Sequence, residues 1–295
     1  MEWKGTALRI VLVSCIVLLA ACLFFTAGCG QQSGAKREQL QVHFLNVGQA
    51  DAALLQYKGQ NMLIDTGDVD GRPALVKMLK DRGVHTLDAV LISHPHGDHL
   101  GGMAALFSQF PIRQVYDNGQ EAYTAMYKNY VKNIADRKIP YKALKRGDTV
   151  IFADDVVLHV LWPSTDGVLP ENGRTNNQSV VCKIIFGTFS VLFTGDAQRE
   201  AEEQVLRSAR KKDLKATIIK VGHHGSKTSS SPAFIEAVKP KGAVISCGAG
   251  NSYGFPHKDV IKTLKSQKSD VYRTDRDGAV SIVSNGHEYA VVKER

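Results

Sequence analysis

Cysteine is scarce in this sequence, and its spacing excludes one class of metal site. The 295 residues contain five cysteines, and no two of them are close enough to form a C-x-x-C pair. A zinc site built from paired thiolates is therefore excluded. Cys182 and Cys247 lie in apolar runs that read as strands, so we expect buried free thiols there rather than a disulfide.

The sequence also has no internal repeat at a fixed period and no low-complexity segment. These absences argue against a solenoid or a fibrous architecture. The composition is 43% hydrophobic, which is enough for one large globular domain with a substantial core. The formal net charge of +8 favours contact with nucleic acid or another anionic surface.

The first 28 residues differ from the rest of the chain. Lys4 and Arg9 flank the start of an apolar run over 10–27, and small residues lead into Cys29. This order is typical of an export signal, and the small residues before Cys29 resemble a bacterial lipoprotein signal. We therefore predict an export signal over 1–28, lipidation of Cys29, a polar tether over 29–39 and a single domain over 40–295.

Two other interpretations of this segment remain open. An uncleaved membrane helix would need about 20 apolar residues, which is close to the length of the run. Plain secretion after cleavage is the other alternative. All three interpretations place the domain outside the cytoplasm, and lipidation would anchor it to the outer face of the cell membrane.

The richest cluster of metal-competent side chains is the segment 94–99, which reads His-Pro-His-Gly-Asp-His. It follows the apolar run 87–93, which we interpret as a buried strand. Pro95 and Gly97 should break any helix or strand, so we predict a loop at a strand end. Such a loop can direct His94 and His96 to one metal ion, and Asp98 and His99 to a second ion nearby.

Two later strand ends carry further candidates. Asp196 follows the strand predicted over 189–193, although it could simply cap the helix expected from Ala197. His223 and His224 follow the strand predicted over 217–221. Adjacent residues of an extended chain face opposite ways. We therefore predict that one histidine binds metal while the other approaches the substrate oxygen or supports a metal ligand, without deciding which.

The H-x-H-x-D-H pattern after an apolar strand resembles the signature of the metallo-β-lactamase superfamily. Residues 93–102 are similar to the hydrolase domain of ComEC-type DNA-uptake proteins. The resemblance covers about residues 40–292 and implies an α/β fold, an αββα sandwich in a single domain. It also implies two divalent metal ions that activate a water, with Asp98, His223 and His224 in catalytic roles. The implied metal ligands are His94, His96, Asp98, His99, Asp196, His223 and His224.

The resemblance also suggests residues that surround the metal ions. It implies that the carboxylate of Asp65 orients a ligand histidine, although Asp65 could be a simple turn residue. Most members have a further histidine where this chain reads Asn-Asn-Gln-Ser, so the first ion keeps His94, His96, Asp196 and an amide or a water. Fewer imidazoles weaken the preference for zinc and admit manganese. The candidate supporting or substrate-contacting residues are Asp65, Asn176, Asn177, Ser179, Ser226 and His257.

The segment 128–146 is strongly basic, since it holds seven lysines and arginines and the single acid Asp136. Tyrosines at 123, 127, 130 and 141 are interleaved with these cations. Cations with aromatic rings suit single-stranded DNA, through phosphate pairing and base stacking. A solvated helix face with its tyrosines turned inward is the alternative.

These observations predict a cell-surface metal-dependent hydrolase, most consistent with a phosphodiesterase or nuclease that acts on DNA. Two alternatives stay open at this point. One keeps hydrolysis but changes the substrate to a phosphorylcholine ester, a lactone or a β-lactam. The other is an anchored accessory protein with an inactive metal site.

Overall fold

The computed structural model describes residues 38–164 and 174–295. The export signal, Cys29 and most of the tether therefore lie outside the described residues. Within those ranges, no helix combines the length and the apolar character needed to cross a membrane.

The strands of the described chain form two sheets. In chain order they are β1 Leu40–Phe44, β2 Ala53–Tyr57, β3 Gln60–Ile64, β4 Ala89–Leu91, β5 Val115–Asp117, β6 Tyr141–Ala143, β7 Thr149–Ala153, β8 Val156–Trp162, β9 Val181–Phe186, β10 Phe189–Phe193, β11 Ile218–Lys220, β12 Gly242–Ile245, β13 Asp270–Arg273, β14 Val280–Ser284 and β15 Tyr289–Lys293. The first sheet has the order β15-β14-β1-β2-β3-β4-β5-β6, and the second has the order β13-β12-β11-β10-β9-β8-β7.

The helices connect these strands across the outer faces of the sheets. They are α1 Arg72–Asp81, α2 Gly97–Leu100, α3 Met103–Gln109, α4 Ala125–Asp136, α5 Arg174–Asn177, α6 Arg199–Ser208, α7 Lys211–Leu214, α8 Pro232–Val238, α9 Lys258–Ser266 and α10 Thr274–Asp277. A 3₁₀ turn, Gly222–Gly225, follows β11.

Three buried clusters show how the layers stack. The central cluster lies between the two sheets, where the rings of Phe44 and Phe193 stack with their centroids 5.8 Å apart. A second cluster joins the outer face of the first sheet to α1, α3 and α4. A third joins the outer face of the second sheet to α6, α8 and α9. The order of layers is helix, sheet, sheet, helix, so the predicted αββα sandwich is confirmed.

One local prediction is wrong. Gly97 does not break a helix but begins one, since Gly97–Leu100 forms the single turn α2. His96 precedes this turn with an extended backbone, and the amide of Leu100 donates to its carbonyl. A glycine at the first position of a helical turn costs little, because that position has few intrahelical hydrogen bonds to lose. Because Asp98 and His99 are consecutive residues of this helical turn, their side chains leave the backbone in different directions.

Candidate metal centre

Three segments that follow strands meet at one edge of the sandwich. Residues 94–99 follow β4, Asp196 follows β10, and the turn 222–225 follows β11. Because β4 belongs to the first sheet and the other two strands to the second, the site lies between the sheets at their shared edge. Rigid strands therefore hold the metal-competent side chains, while the adjoining loops shape the approach.

His94, His96 and Asp196 form the first group of candidate ligands. The Nε2 atom of His94 lies 3.0 Å from Nδ1 of His96 and 4.0 Å from Oδ2 of Asp196. The Nε2 atom of His223 lies 3.6 Å from the same Asp196 oxygen. His223 thus brings a third imidazole to this group, where the sequence suggested only an amide or a water.

Asp98, His99, Asp196 and His224 form the second group. One ligand atom from each of the four lies within 4.8 Å of those of the other three. The Nε2 atom of His224 is 3.1 Å from Oδ2 of Asp98, and the Nε2 atom of His99 is 3.3 Å from Oδ1 of Asp196. Asp196 therefore turns Oδ1 toward His99, while its Oδ2 lies 4.0 Å from His94, 3.6 Å from His223 and 3.8 Å from His224. The carboxylate thus lies between the two groups, where a bridging ligand would have to lie. It does not cap a helix, because α6 begins at Arg199 with Gln198 as its N-terminal cap residue.

The two adjacent histidines do not lie on an extended chain, so the reasoning that made them face opposite ways is wrong. Both have left-handed backbones, with φ of 48° at His223 and 54° at His224. A left-handed pair tightens the chain into a turn, so both rings reach the centre from one short segment. Backbone strain of this kind in residues other than glycine is concentrated at functional sites.

The electrostatics of the site favour added positive charge. Burial alone would lower the pKa of His224, but the carboxylates of Asp196 and Asp51 raise it to about 10. Burial likewise opposes the charged form of His99, yet Asp196 and Asp65 raise its pKa well above the usual value. Buried carboxylates thus favour the charged form of two rings that are themselves potential ligands. Divalent cations would supply this positive charge in place of the protons.

The residues fit a divalent metal, and two buried atoms provide the test. Nε2 of His99 and Oδ1 of Asp196 are buried and have no hydrogen-bond partner. Buried polar atoms of this kind are rare in folded proteins unless something else satisfies them. An imidazole nitrogen and a carboxylate oxygen that point into one centre are what a divalent cation binds.

Supporting hydrogen bonds fix the orientation of the candidate ligands. The Nδ1–H of His99 donates to Oδ2 of Asp65 over 2.9 Å, which leaves Nε2 free for a metal. The Nδ1–H of His224 likewise donates to the carbonyl of Ser246 over 3.0 Å. The backbone amide of Asp196 donates to the hydroxyl of Ser179 over 3.0 Å. Such partners set the tautomer and the direction of a ligand.

The side chains of Asn177 and Ser226 form hydrogen bonds with residues outside the set of candidate ligands. The side-chain amide of Asn177 accepts from the amide of Gln198 and donates to Glu200, so it braces the start of α6. Oδ1 of Asn176 is buried without a hydrogen-bond partner. The hydroxyl of Ser226 accepts from the amide and the hydroxyl of Thr228, which holds the turn.

His257 stands directly before α9, and its Nδ1 accepts from the amide of Lys227 over 3.1 Å. It therefore ties the start of α9 to the segment after the histidine turn. Its ring also packs edge-on against Phe255, with centroids 5.2 Å apart.

The sequence reasoning missed a buried ion pair beneath the centre. The Nζ atom of Lys220 lies 2.7 Å from Oδ2 of Asp51, and both side chains are almost fully buried. Oδ1 of Asp51 lies 3.4 Å from Nδ1 of His224, so the pair touches a candidate ligand. Lys220 is the one charged residue in the apolar run 217–221, and that interruption was the available signal.

A serine nucleophile does not explain this site. The letters of the G-x-S-x-G motif occur once, at 250–254, but Ser252 lies in an exposed turn that leads to Pro256. The motif acts as a nucleophile only on a sharp turn from a strand into a helix, beside a histidine. Within the part of the chain that the structure describes, no hydrogen bond joins Ser252 to a histidine.

The basic segment 128–146 covers most of α4 and all of β6. Met126 of α4 lies against α2, since a Cβ at Gly97 would be 3.6 Å from its Cε. All seven cations of the segment are exposed. Tyr130 is buried and donates to Asp117, so it cannot stack on a base. Tyr141 also donates to Asp117 but remains 46% exposed.

Comparison with known proteins agrees with this geometry. A family model described as the metallo-beta-lactamase superfamily matches residues 45–249. ComE operon protein 3 of Bacillus subtilis is 30% identical over 267 residues, which cover 81% of this chain and 32% of that protein. Competence protein ComA of Neisseria gonorrhoeae is 29% identical over 238 residues, which cover 80% of this chain and 31% of that protein. The chain thus spans about a third of the length of these relatives.

Solved structures share the fold at low sequence identity. The metallo-beta-lactamase fold protein YhfI from Bacillus subtilis aligns with a TM-score of 0.54 and 11% identity. The alignment covers 86% of this chain and all of that protein. The two-sheet architecture therefore extends well beyond the metal motifs.

Proposed function

The chain belongs to the metallo-beta-lactamase superfamily, and from this membership we propose that it is a metal-dependent phosphodiesterase that cleaves single-stranded DNA at the outer face of the cell membrane. The observation that carries the hydrolytic part is the shared carboxylate of Asp196, which lies within 4.0 Å of ligand atoms from both groups. One of the relatives is named as a competence protein, and this supports DNA as the substrate class.

Each part of the centre has a chemical role in this proposal. Two divalent cations held by the two groups would lower the pKa of a shared water and stabilise the attacking and leaving oxygens. Asp65 and the carbonyl of Ser246 keep the Nε2 atoms of His99 and His224 directed into the centre. Ser179 fixes the backbone of Asp196. The substrate approaches past His96, Asp98 and His223, because these are the candidate ligands that solvent reaches.

The donor set bears on the choice of metal. With His223 beside the first group, five imidazoles and two carboxylates surround the two positions. This balance suits zinc better than the oxygen-rich set that the sequence suggested, and it still permits manganese. We propose zinc as the first metal to test and manganese as the second.

The basic segment supports a polyanionic substrate. Its cations are exposed, and the helix α4 that carries several of them packs on α2, which holds Asp98 and His99. Two of the cations already pair with acids. Lys132 pairs with Asp136, and Lys142 lies 2.8 Å from Asp148. Within the described ranges, no ion pair is found for Lys128, Lys138 or Lys145, so these three are the better candidates for phosphate contacts.

Replacing Lys128, Lys138 and Lys145 together with glutamine should weaken binding of single-stranded DNA at low salt. Each lost phosphate contact should flatten the slope of log affinity against log salt by about 0.7. Binding of a fluorescent oligonucleotide, measured over a series of salt concentrations, checks the slope.

A charge-matched control comes from the opposite edge of the sandwich. The Lys215, Lys239 and Lys241→Gln variant loses the same charge at the edge where β11 and β12 begin. It should change the slope less than the first variant does. Equal slopes for the two variants would show that only net charge matters, and would remove the basic segment from the substrate path.

The proposed location is supported by where the chain enters the sandwich. β1 begins at Leu40, which pairs with Ser284, and β1 then runs toward the metal centre. The N-terminal segment therefore joins at the edge opposite the centre. A cleft of about 730 Å³ opens at that edge, lined by Lys215, Lys239 and Lys241 among others. Anchoring there would turn the cationic cleft toward anionic lipid and the metal centre away from it.

Cys29→Ser should abolish acylation and release the protein from the membrane fraction. Cys29 is the candidate lipidated residue because small residues lead into it at the end of the apolar run. Mass spectrometry of the amino terminus, together with cell fractionation, provides the measurement. Cys22→Ser is the matched control and should leave the protein acylated. An unmodified amino terminus at another position in the wild type would contradict lipidation.

A further inference from the structure

We infer that Tyr253 and Phe255 form a stacking platform for one nucleobase of the strand beside the metal centre. This inference rests on the proposed function and specifies how its substrate is held. The platform lies in the loop between β12 and α9, which no candidate metal ligand occupies.

The rings form a nearly parallel series that leads from the surface to the centre. Tyr253 and Phe255 stack with centroids 5.3 Å apart and an interplanar angle of 16°. Phe255 and His224 are 6.4 Å apart at 20°. Tyr253 is 64% exposed, so its ring offers a flat surface to a ligand, while Phe255 connects it to a candidate metal ligand.

The loop that carries the platform is held in place by its own hydrogen bonds. The side chain of Asn251 donates to the carbonyls of Gly248 and Phe255, over 2.9 and 2.8 Å. Its oxygen accepts from the amide of Phe255 over 2.9 Å. The loop also packs tightly on the histidine turn, since a Cβ at Gly225 would lie 2.5 Å from Cβ of Pro256. A preorganised surface loses little conformational entropy when a ligand binds.

A nucleobase is the ligand that this geometry suits. Every base has a flat π-face, and stacking on an aromatic side chain strengthens binding by about 5- to 150-fold per base, independently of sequence. The platform offers ring faces and no charged group of its own, so it would hold the base while the metal centre and the lysines hold the phosphates. A strand bound in this way would place one phosphate at the centre and an adjacent base on Tyr253.

The test compares a base with no base at the same position. We would measure KM and kcat for a single-stranded oligodeoxynucleotide and for strands in which one nucleotide near the cleavage site is abasic. In the wild type, removal of the critical base should raise KM at least 5-fold. In Tyr253→Ala the ratio of the two KM values should fall toward one. Tyr253→Phe keeps the ring and should retain the wild-type ratio.

Phe255→Leu is the second variant, since it keeps apolar volume but removes the ring. It should also reduce the KM ratio. If the KM values of the wild type for the abasic and the intact strand are equal at every abasic position, Tyr253 and Phe255 do not bind a base. The proposal that the protein cleaves DNA would be unaffected by this result. A ratio unchanged in Tyr253→Ala, with both substrates slowed equally, would show that the loop acts only structurally. If the wild type cleaves neither strand, the result would instead contradict the proposed function.

Discussion

Asp196→Ala is expected to reduce hydrolysis at least ~10²-fold, because the Asp196 carboxylate lies against ligand atoms of both groups. Its Oδ1 faces His99, and its Oδ2 faces His94, His223 and His224. Without this carboxylate, two cations would lose their shared ligand and the negative charge that offsets their mutual repulsion. The measurement is kcat/KM alongside the metal content of each protein.

The control for Asp196→Ala is Asp154→Ala, which removes an exposed carboxylate from the turn between β7 and β8. It should leave both activity and metal content unchanged. Near-normal turnover of Asp196→Ala with a full complement of metal would remove Asp196 from the mechanism.

Lys220→Met is expected to reduce the free energy of unfolding by about 3–5 kcal/mol, since it removes the ammonium group that pairs with the buried carboxylate of Asp51. The two side chains are buried and 2.7 Å apart. Burial raises the pKa of Asp51, but Lys220 and His224 hold it below its usual value, so the carboxylate stays charged. Urea denaturation at neutral pH measures the loss.

The double variant Asp51→Asn/Lys220→Met separates charge from packing. It removes both buried charges and keeps similar volumes, so it should be more stable than Lys220→Met alone. If the two variants unfold at the same urea concentration, the loss of stability in Lys220→Met is not caused by the unpaired charge of Asp51. Loss of metal affinity in both variants would follow from the contact between Asp51 and His224.

Much of the fold and part of the site could be predicted from local patterns. The apolar run before His94 and the strand before Asp196 are visible in the sequence, because strand ends are marked by apolar residues followed by polar ones. The αββα order of layers was predicted from the family resemblance, since alternating strands and helices also fit a doubly wound parallel sheet. The structure and the comparisons confirm the sandwich.

The rest depends on contacts that no local pattern encodes. Asp51 and Lys220 are 169 positions apart in the chain, and only the packing of two sheets brings them together. The left-handed backbones of His223 and His224 reflect the tight turn after β11, whereas an extended chain is the default expectation after a strand. Tyr130 shows the same limit, because its position among lysines gave no sign that Asp117 would hold its hydroxyl in the core.

The most direct test of the account is cleavage of single-stranded DNA by the purified protein after chelation and reconstitution. The chelated protein should be inactive, and zinc or manganese should restore cleavage in the wild type but not in Asp196→Ala. Absence of cleavage with either metal at low salt, together with metal-dependent hydrolysis of a phosphorylcholine ester, a lactone or a β-lactam, would contradict the nuclease and assign the centre to a small ester or amide.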